Sequence, residues 1–194
     1  MRTVEAPRDA AGPTVTDPAR SPFGRGRSAA VLVSSTHALT GQKPDLAGPV
    51  LAEWLRALGY ACAGPRVLDD GPPMRTAIEL ALGVDSSGVP LSTVPEAPLR
   101  VLVTCGGTGL GPLHRVPEYT APLLDVQAPG IMHALWRRGL ENTEHAVLSR
   151  GVAGVRGSTF VVNLPGSKGG AMDGIAVLEP LLPNIQTQIE DACE

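Results

Sequence analysis

The sequence predicts an α/β fold in three layers, with a mostly parallel sheet between helices on both faces. Short apolar runs rich in β-branched residues alternate along the chain with longer segments whose apolar residues recur at helical spacing. The runs at residues 29–35 and 99–104 are mostly apolar and the run at 158–163 has an apolar centre, as expected for strands that are covered on both faces. Each run leads into polar residues or glycine, which indicates a turn at its carboxyl end.

The segment after the first strand carries a helix with a marked beginning and end. Asp45 can cap the amino terminus through its side-chain oxygens, and Gly59 is a residue type that commonly ends a helix. The apolar positions of this helix are Val50, Leu51, Trp54, Leu55 and Leu58. Residues 60–68 then form a weaker strand, and Gly64 followed by Pro65 favours a place toward one edge of the sheet.

The middle of the chain extends the alternation of strands and helices. Residues 74–82 read as a helix, and residues 83–98, rich in Gly, Ser and Pro, predict a solvent loop that lengthens the crossover. The strongest strand follows at residues 99–104. Residues 117–124 and 129–140 are each helical, because proline suits the first turn of a helix.

The last third of the chain predicts two extended pieces and one helix. Residues 146–149 form a short extended piece, and residues 158–163 form a buried strand. A single C-terminal helix follows, with apolar positions at Ile175, Val177, Leu178, Leu181, Leu182 and Ile185.

The chain of 194 residues suits one domain with an appended tail. Residues 1–28 contain four prolines among Arg, Gly, Thr and Ala, and they cannot bury enough apolar surface to offset their ordering entropy. We therefore expect residues 1–28 to be a disordered tail and residues 29–194 to form the domain.

Charge and composition exclude several classes of function. The formal net charge of −3 leaves no basic surface for a phosphate backbone, so we expect no nucleic-acid partner. No apolar run of about 18 residues is present, and we expect no association with a membrane. Three scattered cysteines, Cys62, Cys105 and Cys193, form neither a disulfide framework nor a metal-binding pair, which favours the reducing cytoplasm.

A glycine-rich turn after the strongest strand is the main candidate for chemistry. Gly106, Gly107, Thr108 and Gly109 follow a buried strand, and glycines allow a backbone to approach an anion closely and donate its N–H groups. The alternative is a tight turn in a glycine-rich chain, since the turn matches neither the P-loop nor the dinucleotide pattern. A second turn at a strand end, at residues 165–167, favours the anion site.

Other chemistry-bearing residues allow alternatives. Asp69 and Asp70 suit Mg²⁺, which takes one or two carboxylates plus substrate phosphates, but they also suit a turn or a helix cap. Lys168 could balance a phosphate or simply be an exposed lysine at a helix start. Cys105 has no base beside it in the sequence. The histidines at 37, 114, 133 and 145 lack metal-ligand spacing.

Three ordered motifs carry a resemblance to a known family. Residues 103–109 (Val-Thr-Cys-Gly-Gly-Thr-Gly), 148–151 (Leu-Ser-Arg-Gly) and 162–167 (Val-Asn-Leu-Pro-Gly-Ser) resemble the MogA/MoaB family of molybdopterin adenylyltransferases, which includes gephyrin-type G domains. The likeness covers about residues 29–192. It implies a molybdopterin-binding α/β fold, a homotrimer or a hexamer, and the adenylylation of the molybdopterin phosphate by Mg²⁺ and ATP.

The resemblance also implies site residues. Asp70 and His114 would be the catalytic residues, and Asp70 would help to place Mg²⁺. Asp45, Gly48 and Pro49 match the start of the family's first helix. The substrate-binding residues would be Ser35, Gly106, Gly107, Thr108, Gly109, Ser149, Pro165, Gly166 and Ser167.

The chain departs from the family pattern at acidic and basic positions. His114 stands where the family has an aspartate that acts in catalysis, while His133 and Trp136 replace a Glu and an Arg. Ser35, Thr36 and His37 stand where the family has Ser-Asp-Arg. An imidazole should weaken a Mg²⁺ site, because Mg²⁺ prefers oxygen ligands, whereas backbone N–H donors survive these replacements.

Two hypotheses about function follow. In the first, the protein serves molybdenum cofactor biosynthesis, binds molybdopterin with ATP and Mg²⁺, and retains adenylyl transfer. In the second, it is a non-catalytic paralogue that binds the pterin as a carrier or scaffold subunit.

Overall fold

The computed structural model describes residues 23–85, 87–88 and 99–191. In this part of the chain the strands are β1 (Ser28–Ser34), β2 (Ala61–Leu68), β3 (Leu99–Cys105), β4 (Val126–Gln127), β5 (Ala153–Arg156) and β6 (Thr159–Leu164). The helices are α1 (Thr36–Leu39), α2 (Gly48–Ala57), α3 (Pro72–Ala81), α4 (Val116–Thr120), α5 (Pro129–Leu140), α6 (Lys168–Leu178) and α7 (Leu182–Asp191). Short 3-10 helices span Ala121–Leu123 and Glu144–Leu148.

The described strands form one sheet in the order β2-β1-β3-β6-β5-β4. β1 pairs in parallel with both β2 and β3, and β3 pairs in parallel with β6. β5 runs antiparallel to β6 and to β4 at the far edge. The predicted fold class is confirmed, and β2 lies at an edge as its Gly64–Pro65 pair indicates.

Successive residues of the central strands point to opposite faces of the sheet and build two apolar cores. On one face Val31, Val103 and Val162 pack with α2, α5, α6 and α7. On the other face Leu32 and Leu102 pack with α3 and α4. The sheet is therefore the middle of three layers, and its central strands are covered on both sides.

Helix α2 lies between its two predicted sequence signals, Asp45 and Gly59. Asp45 Oδ1 accepts hydrogen bonds from the N–H groups of Ala47 at 3.0 Å and Gly48 at 2.9 Å. Gly59 ends the segment with φ of +95°, a conformation that glycine adopts without steric cost.

The C-terminal segment forms two helices, so the prediction of a single helix was wrong. α6 ends at Leu178 and α7 begins at Leu182, with Pro180 between them. Proline has no N–H to donate, and its ring clashes with the preceding turn of a helix. The apolar spacing continued across the break and concealed it.

Two further differences lie on either side of α5. Residues 146–149 were predicted to be extended, but the 3-10 helix Glu144–Leu148 covers most of them, because the Thr143 hydroxyl accepts from the His145 N–H and starts a turn. The strands β4 and β5 were not predicted. They are two and four residues long, too short for an alternating pattern to be recognised.

The beginning of the domain differs from the predicted boundary at residue 28. Phe23 packs edge-to-face on Tyr60 with ring centroids 5.7 Å apart, and the Gly24 N–H donates to the Leu58 carbonyl at 2.9 Å. Residues 23–28 therefore belong to the folded domain, while the remainder of the predicted tail, residues 1–22, lies outside the described residues. Among the described residues, no helix is long and apolar enough to cross a membrane.

Candidate functional site

The carboxyl ends of four parallel strands converge at one edge of the sheet. Ser34 is the last residue of β1, and Asp70 lies just after the end of β2. The Ser34 hydroxyl donates to Asp70 Oδ1 at 2.5 Å. The Gly106 N–H, after β3, donates to the Leu164 carbonyl at the end of β6 at 3.0 Å. A Cβ placed on Gly166 would lie 3.1 Å from the Gly106 Cα. The structure thus brings together segments that are distant in sequence.

Glycine is required at two positions of the turn after β3. Gly106 and Gly107 have φ of +87° and +61°, in the region that L side chains rarely adopt. A Cβ on Gly106 would overlap the Ser34 carbonyl oxygen, and one on Gly107 would lie 2.5 Å from Val116 Cγ2. The backbone is therefore packed tightly on β1 and α4, and no larger residue fits there.

The carbonyl oxygens of this turn accept hydrogen bonds from Val116 and Arg150. The Gly107 oxygen accepts from the Val116 N–H at 3.2 Å, and the Thr108 oxygen accepts from the Arg150 N–H at 2.9 Å. The Gly109 oxygen accepts from Arg150 Nε at 3.0 Å and Nη2 at 2.9 Å. In the described part of the chain, the N–H groups of Gly107, Thr108 and Gly109 donate to no protein atom. Among the described residues, these three N–H groups thus have no protein partner, which is typical of a turn that binds an anion.

Arg150 holds the loop between the glycine turn and α4 together. Its guanidinium also donates to the His114 carbonyl at 2.6 Å and forms an ion pair with Glu118. The hydrogen bond from Arg150 lowers the pKa of the Glu118 carboxyl, against a smaller opposing effect of burial. Sequence reasoning included Arg150 in a motif but gave it no role, because its partners are far away along the chain.

The two aspartates after β2 face the start of α1. Asp70 Oδ2 accepts from the Thr36 hydroxyl at 3.0 Å and the Thr36 N–H at 3.3 Å, and Asp69 Oδ1 accepts from the same hydroxyl at 2.5 Å. In the described part of the chain, no three His, Cys, Asp or Glu side chains are placed to hold a metal by themselves. A pair of carboxylates nevertheless fits Mg²⁺, which binds few protein groups and takes the rest from substrate phosphates and water.

His114 lies against the glycine turn. Its Nδ1 would be 2.9 Å from a Cβ on Gly109 and 3.1 Å from one on Gly111. The imidazole therefore packs against the turn at Gly109 and Gly111. A nitrogen ligand at this position does not fit a Mg²⁺ site, whose preferred donors are oxygens.

The predicted serines lie at the site, and each hydroxyl already has a partner. Ser35 Oγ caps α1 by accepting from the Ala38 N–H at 3.1 Å, and Ser167 Oγ caps α6 by accepting from the Gly170 N–H at 3.0 Å. The Ser149 hydroxyl donates to Thr108 Oγ1 at 3.0 Å. Ser34, next to the predicted Ser35, is the serine that contacts Asp70.

A buried polar network supports the site from below. Asn163 is fully buried, and its Nδ2 donates to the hydroxyls of Thr104 at 2.8 Å and Thr120 at 3.1 Å. Asn163 Oδ1 accepts from the Val152 N–H at 3.1 Å. The network joins β3, β6 and α4 beneath the glycine turn, and it satisfies polar groups that burial would otherwise penalise.

Cys105 and the remaining histidines give no reactive centre. Burial raises the pKa of the Cys105 thiol to about 12, with a smaller effect from Asp45, so the nucleophilic thiolate is disfavoured. His37 Nδ1 lies 2.7 Å from Gln42 Oε1, and the His133 ring lies 5.3 Å from that of Trp136. These rings are therefore engaged with different neighbours.

A cavity of about 210 Å³ opens beside the glycine turn, between α5, the 3-10 helix Glu144–Leu148 and the start of α6. Its wall includes Ser149, Pro165 and Ser167, all of which were predicted to bind substrate. Trp136 and Asp173 also line it. Sequence reasoning did not assign either residue to a pocket, because nothing in their spacing indicates that α5 and α6 face each other there.

The architecture and the site define a class of protein. In open α/β sheets the ligand lies in the crevice outside the carboxyl ends of the strands, and this is where the glycine turns and carboxylates converge. Residues 30–184 match the family model described as probable molybdopterin binding domain. The chain therefore belongs to this family, whose named members act in molybdenum cofactor biosynthesis.

Individual relatives agree with this assignment. The chain is 36% identical over 153 residues to the molybdenum cofactor biosynthesis bifunctional protein of Chlorobaculum tepidum, covering 79% of this chain and 45% of the relative. It is 29% identical over 134 residues to the molybdopterin adenylyltransferase of Escherichia coli, covering 68% of this chain and 63% of that protein. It spans less than half the length of the bifunctional relative.

A solved structure extends the likeness to the whole fold. The molybdopterin biosynthesis Mog protein from Mycobacterium ulcerans aligns with a TM-score of 0.73 and 39% sequence identity. The alignment covers 84% of this chain and 99% of that one. The predicted MogA/MoaB-like fold is confirmed by such neighbours.

Proposed function

We propose that this protein binds molybdopterin and ATP at the carboxyl edge of the sheet and transfers an adenylyl group between them. The observation that supports the proposal is that the N–H groups of Gly107, Thr108 and Gly109 have no protein partner among the described residues, while the carbonyl oxygens of these residues accept hydrogen bonds from Val116 and Arg150. Backbone N–H groups in such a turn bind phosphate oxygens. Both proposed substrates carry phosphate.

In the proposed reaction, a phosphate oxygen of molybdopterin attacks the α-phosphorus of ATP. A new P–O bond forms, the bond between the α- and β-phosphates breaks, and pyrophosphate leaves. The protein would hold both phosphates in line and stabilise the developing charge through backbone donors, which supplies most of the rate in phosphoryl chemistry. Arg150 would position the turn through its hydrogen bonds to the carbonyl oxygens of Thr108 and Gly109.

Mg²⁺ would neutralise phosphate charge when it is bound with ATP. Asp70 and Asp69 would hold it, because their carboxylates lie together at the strand ends. The hydroxyls of Ser34 and Thr36 would keep Asp70 oriented toward the glycine turn.

A second candidate function is pterin binding without catalysis. It is favoured by His114, whose ring nitrogen borders the turn where the family has an acidic oxygen. Binding would survive this change, since it rests on backbone donors, while the rate of transfer would fall.

An assay separates the two functions. Purified protein is incubated with molybdopterin, ATP and Mg²⁺, and adenylylated molybdopterin and pyrophosphate are quantified by chromatography. Formation of both products in equal amounts supports the enzyme. Tight binding of molybdopterin without product would replace it by the non-catalytic function, and absence of binding would refute both.

The variant His114→Asp tests the role of the imidazole. We expect faster adenylylation and a lower Mg²⁺ requirement, because an oxygen ligand is restored. His37→Asp is the matched control, since it makes the same change at an exposed histidine that bonds Gln42. Equal rates for wild type and His114→Asp would show that this position does not act in the chemical step.

Self-association is a further proposal. The family resemblance favours a homotrimer, and light scattering of the purified protein would measure its mass directly. A monomeric mass across the micromolar range would contradict it.

A further inference from the structure

The cavity between α5 and α6 neighbours the glycine turn through Ser149. Ser149 lines the cavity, and its hydroxyl donates to Thr108 of the turn at 3.0 Å. Ser167 lines the cavity as well, at the end of the second turn. Ser149 is therefore a common border of the cavity and the turn.

The volume of the cavity limits what enters it. At about 210 Å³ it is smaller than the ~300–1,000 Å³ typical of sites that enclose a whole drug-sized ligand. It therefore suits one end of a larger ligand, such as a fused two-ring heterocycle, with the rest outside.

One wall of the cavity is an aromatic ring held in place. The Trp136 indole N–H donates to the Ser149 carbonyl at 2.9 Å, and the His133 ring packs beside the indole at 5.3 Å with a tilt of 49°. A fixed indole offers a flat surface to a planar heterocycle at little entropic cost.

Asp173 gives the cavity its polar specificity. The side chain is 15% exposed, and its Oδ1 lies 3.2 Å from Asn142 Nδ2 and 3.5 Å from Arg138 Nε. These neighbours fix the carboxylate and balance its charge from one side. An ionised carboxylate offers about four acceptor sites and no donor, so capacity remains for a ligand with adjacent N–H groups.

We propose that this cavity recognises a 2-amino-4-oxopyrimidine edge, with Asp173 accepting hydrogen bonds from the ring N–H and the 2-amino group while the heterocycle lies against Trp136. Pterins and guanine carry this edge. Adenine does not, because its amino group adjoins a ring nitrogen that accepts hydrogen bonds. The inference rests on the proposed function in that the pterin of molybdopterin is the edge expected there.

The first test uses the full-length wild-type protein and three probes. These are a fluorescent pterin with a phosphate on its side chain, the corresponding lumazine phosphate, which has oxygen in place of the 2-amino group, and GMP. Titration calorimetry should give a pterin affinity about 10- to 100-fold above that of the lumazine, because a charge-assisted bond to the amino group is lost in the latter. Equal affinities would overturn the proposal. Tighter binding of GMP than of the pterin would support recognition of the 2-amino-4-oxopyrimidine edge and would identify the ligand as a guanine nucleotide.

The second test removes the carboxylate charge. Asp173→Asn should lower pterin affinity about 10- to 100-fold and abolish the preference over lumazine, with little change in lumazine binding. Asp191→Asn makes the same substitution on the exposed end of α7 and should bind as wild type does. Circular dichroism and unfolding curves establish that both variants fold. An Asp173→Asn protein that keeps the full preference would refute the role of Asp173.

The outcome is separable from that of the adenylylation assay. An Asp173-dependent preference in a protein that forms no adenylylated product would leave this inference standing and reject the catalytic proposal. Adenylylation with unchanged discrimination in Asp173→Asn would reject this inference alone.

Discussion

At the scale of single residues, the candidate site depends on glycines at positions where a side chain would not fit. Gly107 combines a φ of +61° with a Cβ position 2.5 Å from Val116 Cγ2, so both its conformation and its surroundings exclude other residues. Two neighbouring donors of the turn, at Thr108 and Gly109, share the same short loop. A side chain at Gly107 would move all three N–H groups together.

Gly107→Ala should therefore lose ligand affinity by at least about 10-fold and reduce the free energy of unfolding by ~1–3 kcal/mol. The physical reason is strain in the left-handed region added to overlap with α4. Calorimetric titration with Mg²⁺ and ATP measures the first effect, and urea denaturation measures the second.

Gly157→Ala provides the matched control. Gly157 also has positive φ, at +51°, but a Cβ there meets no atom within 4 Å. It should lose about 1–2 kcal/mol of stability and keep wild-type affinity. Comparable loss of affinity in both variants would mean that Gly107 acts only through stability.

At the scale of elements, Arg150 connects the segment before β5 to the loop that enters α4. Its ion pair with Glu118 is about one-third exposed on each side, so it contributes on the order of 0–1 kcal/mol to stability. Its bonds to the Gly109 and His114 carbonyls give it a positional role that does not depend on that small energy.

The Glu118 pair predicts a pH dependence. Because Arg150 lowers the pKa of Glu118 in the folded state, the pair stabilises the protein above the ordinary glutamate pKa of about 4.3, and this contribution disappears as the pH falls through the lowered value. Glu118→Gln should be less stable than wild type at pH 6–7, and the two should converge below about pH 4. Thermal unfolding across this range measures the difference.

Glu53→Gln, on the exposed face of α2, is the control and should follow the wild-type profile. A constant offset between Glu118→Gln and wild type down to low pH would show that the effect of the substitution is not electrostatic.

At the scale of the whole molecule, residues 23–27 attach the start of the domain to α7 and Tyr60, at the end of the sheet opposite the candidate site. Arg27 donates to Glu190 on α7 through two bonds of 2.7 Å and 2.6 Å, and its guanidinium also bonds the Phe23 carbonyl. Phe23 in turn packs on Tyr60, whose pKa burial raises to about 12. The segment closes the apolar core that α2 and α7 share.

Two truncations test this closure. A protein without residues 1–22 should be as stable as the full chain, whereas one without residues 1–27 should lose about 2–3 kcal/mol, since it gives up Phe23 burial, the aromatic pair and the bonds to Glu190. Urea denaturation at equal protein concentration compares them. Identical midpoints for the two truncations would place the domain boundary at residue 28, as the sequence predicts.

The sequence predicted much of the fold, because its strongest signals are local. The apolar runs that became β1, β3 and β6 and the cap at Asp45 each reflect a preference of a few neighbouring residues. β4 and β5 were missed because a strand of two residues exists only through its pairing with a neighbour. At Pro180 the error was the opposite one, because a single helix was predicted where the chain forms two. The apolar pattern continues through both helices, although Pro180 lies between them.

By itself, the sequence determined the glycine turns, the carboxylates and the order in which they follow the strands, because these depend on residue type and short spacing. Only the tertiary structure decided that Arg150 binds the turn from behind, with partners 41 and 32 residues away, and that Asp173 and Trp136 share a cavity with Ser149. Such contacts depend on how α5 and α6 pack against the sheet, and many sequences with the same local pattern would pack them differently.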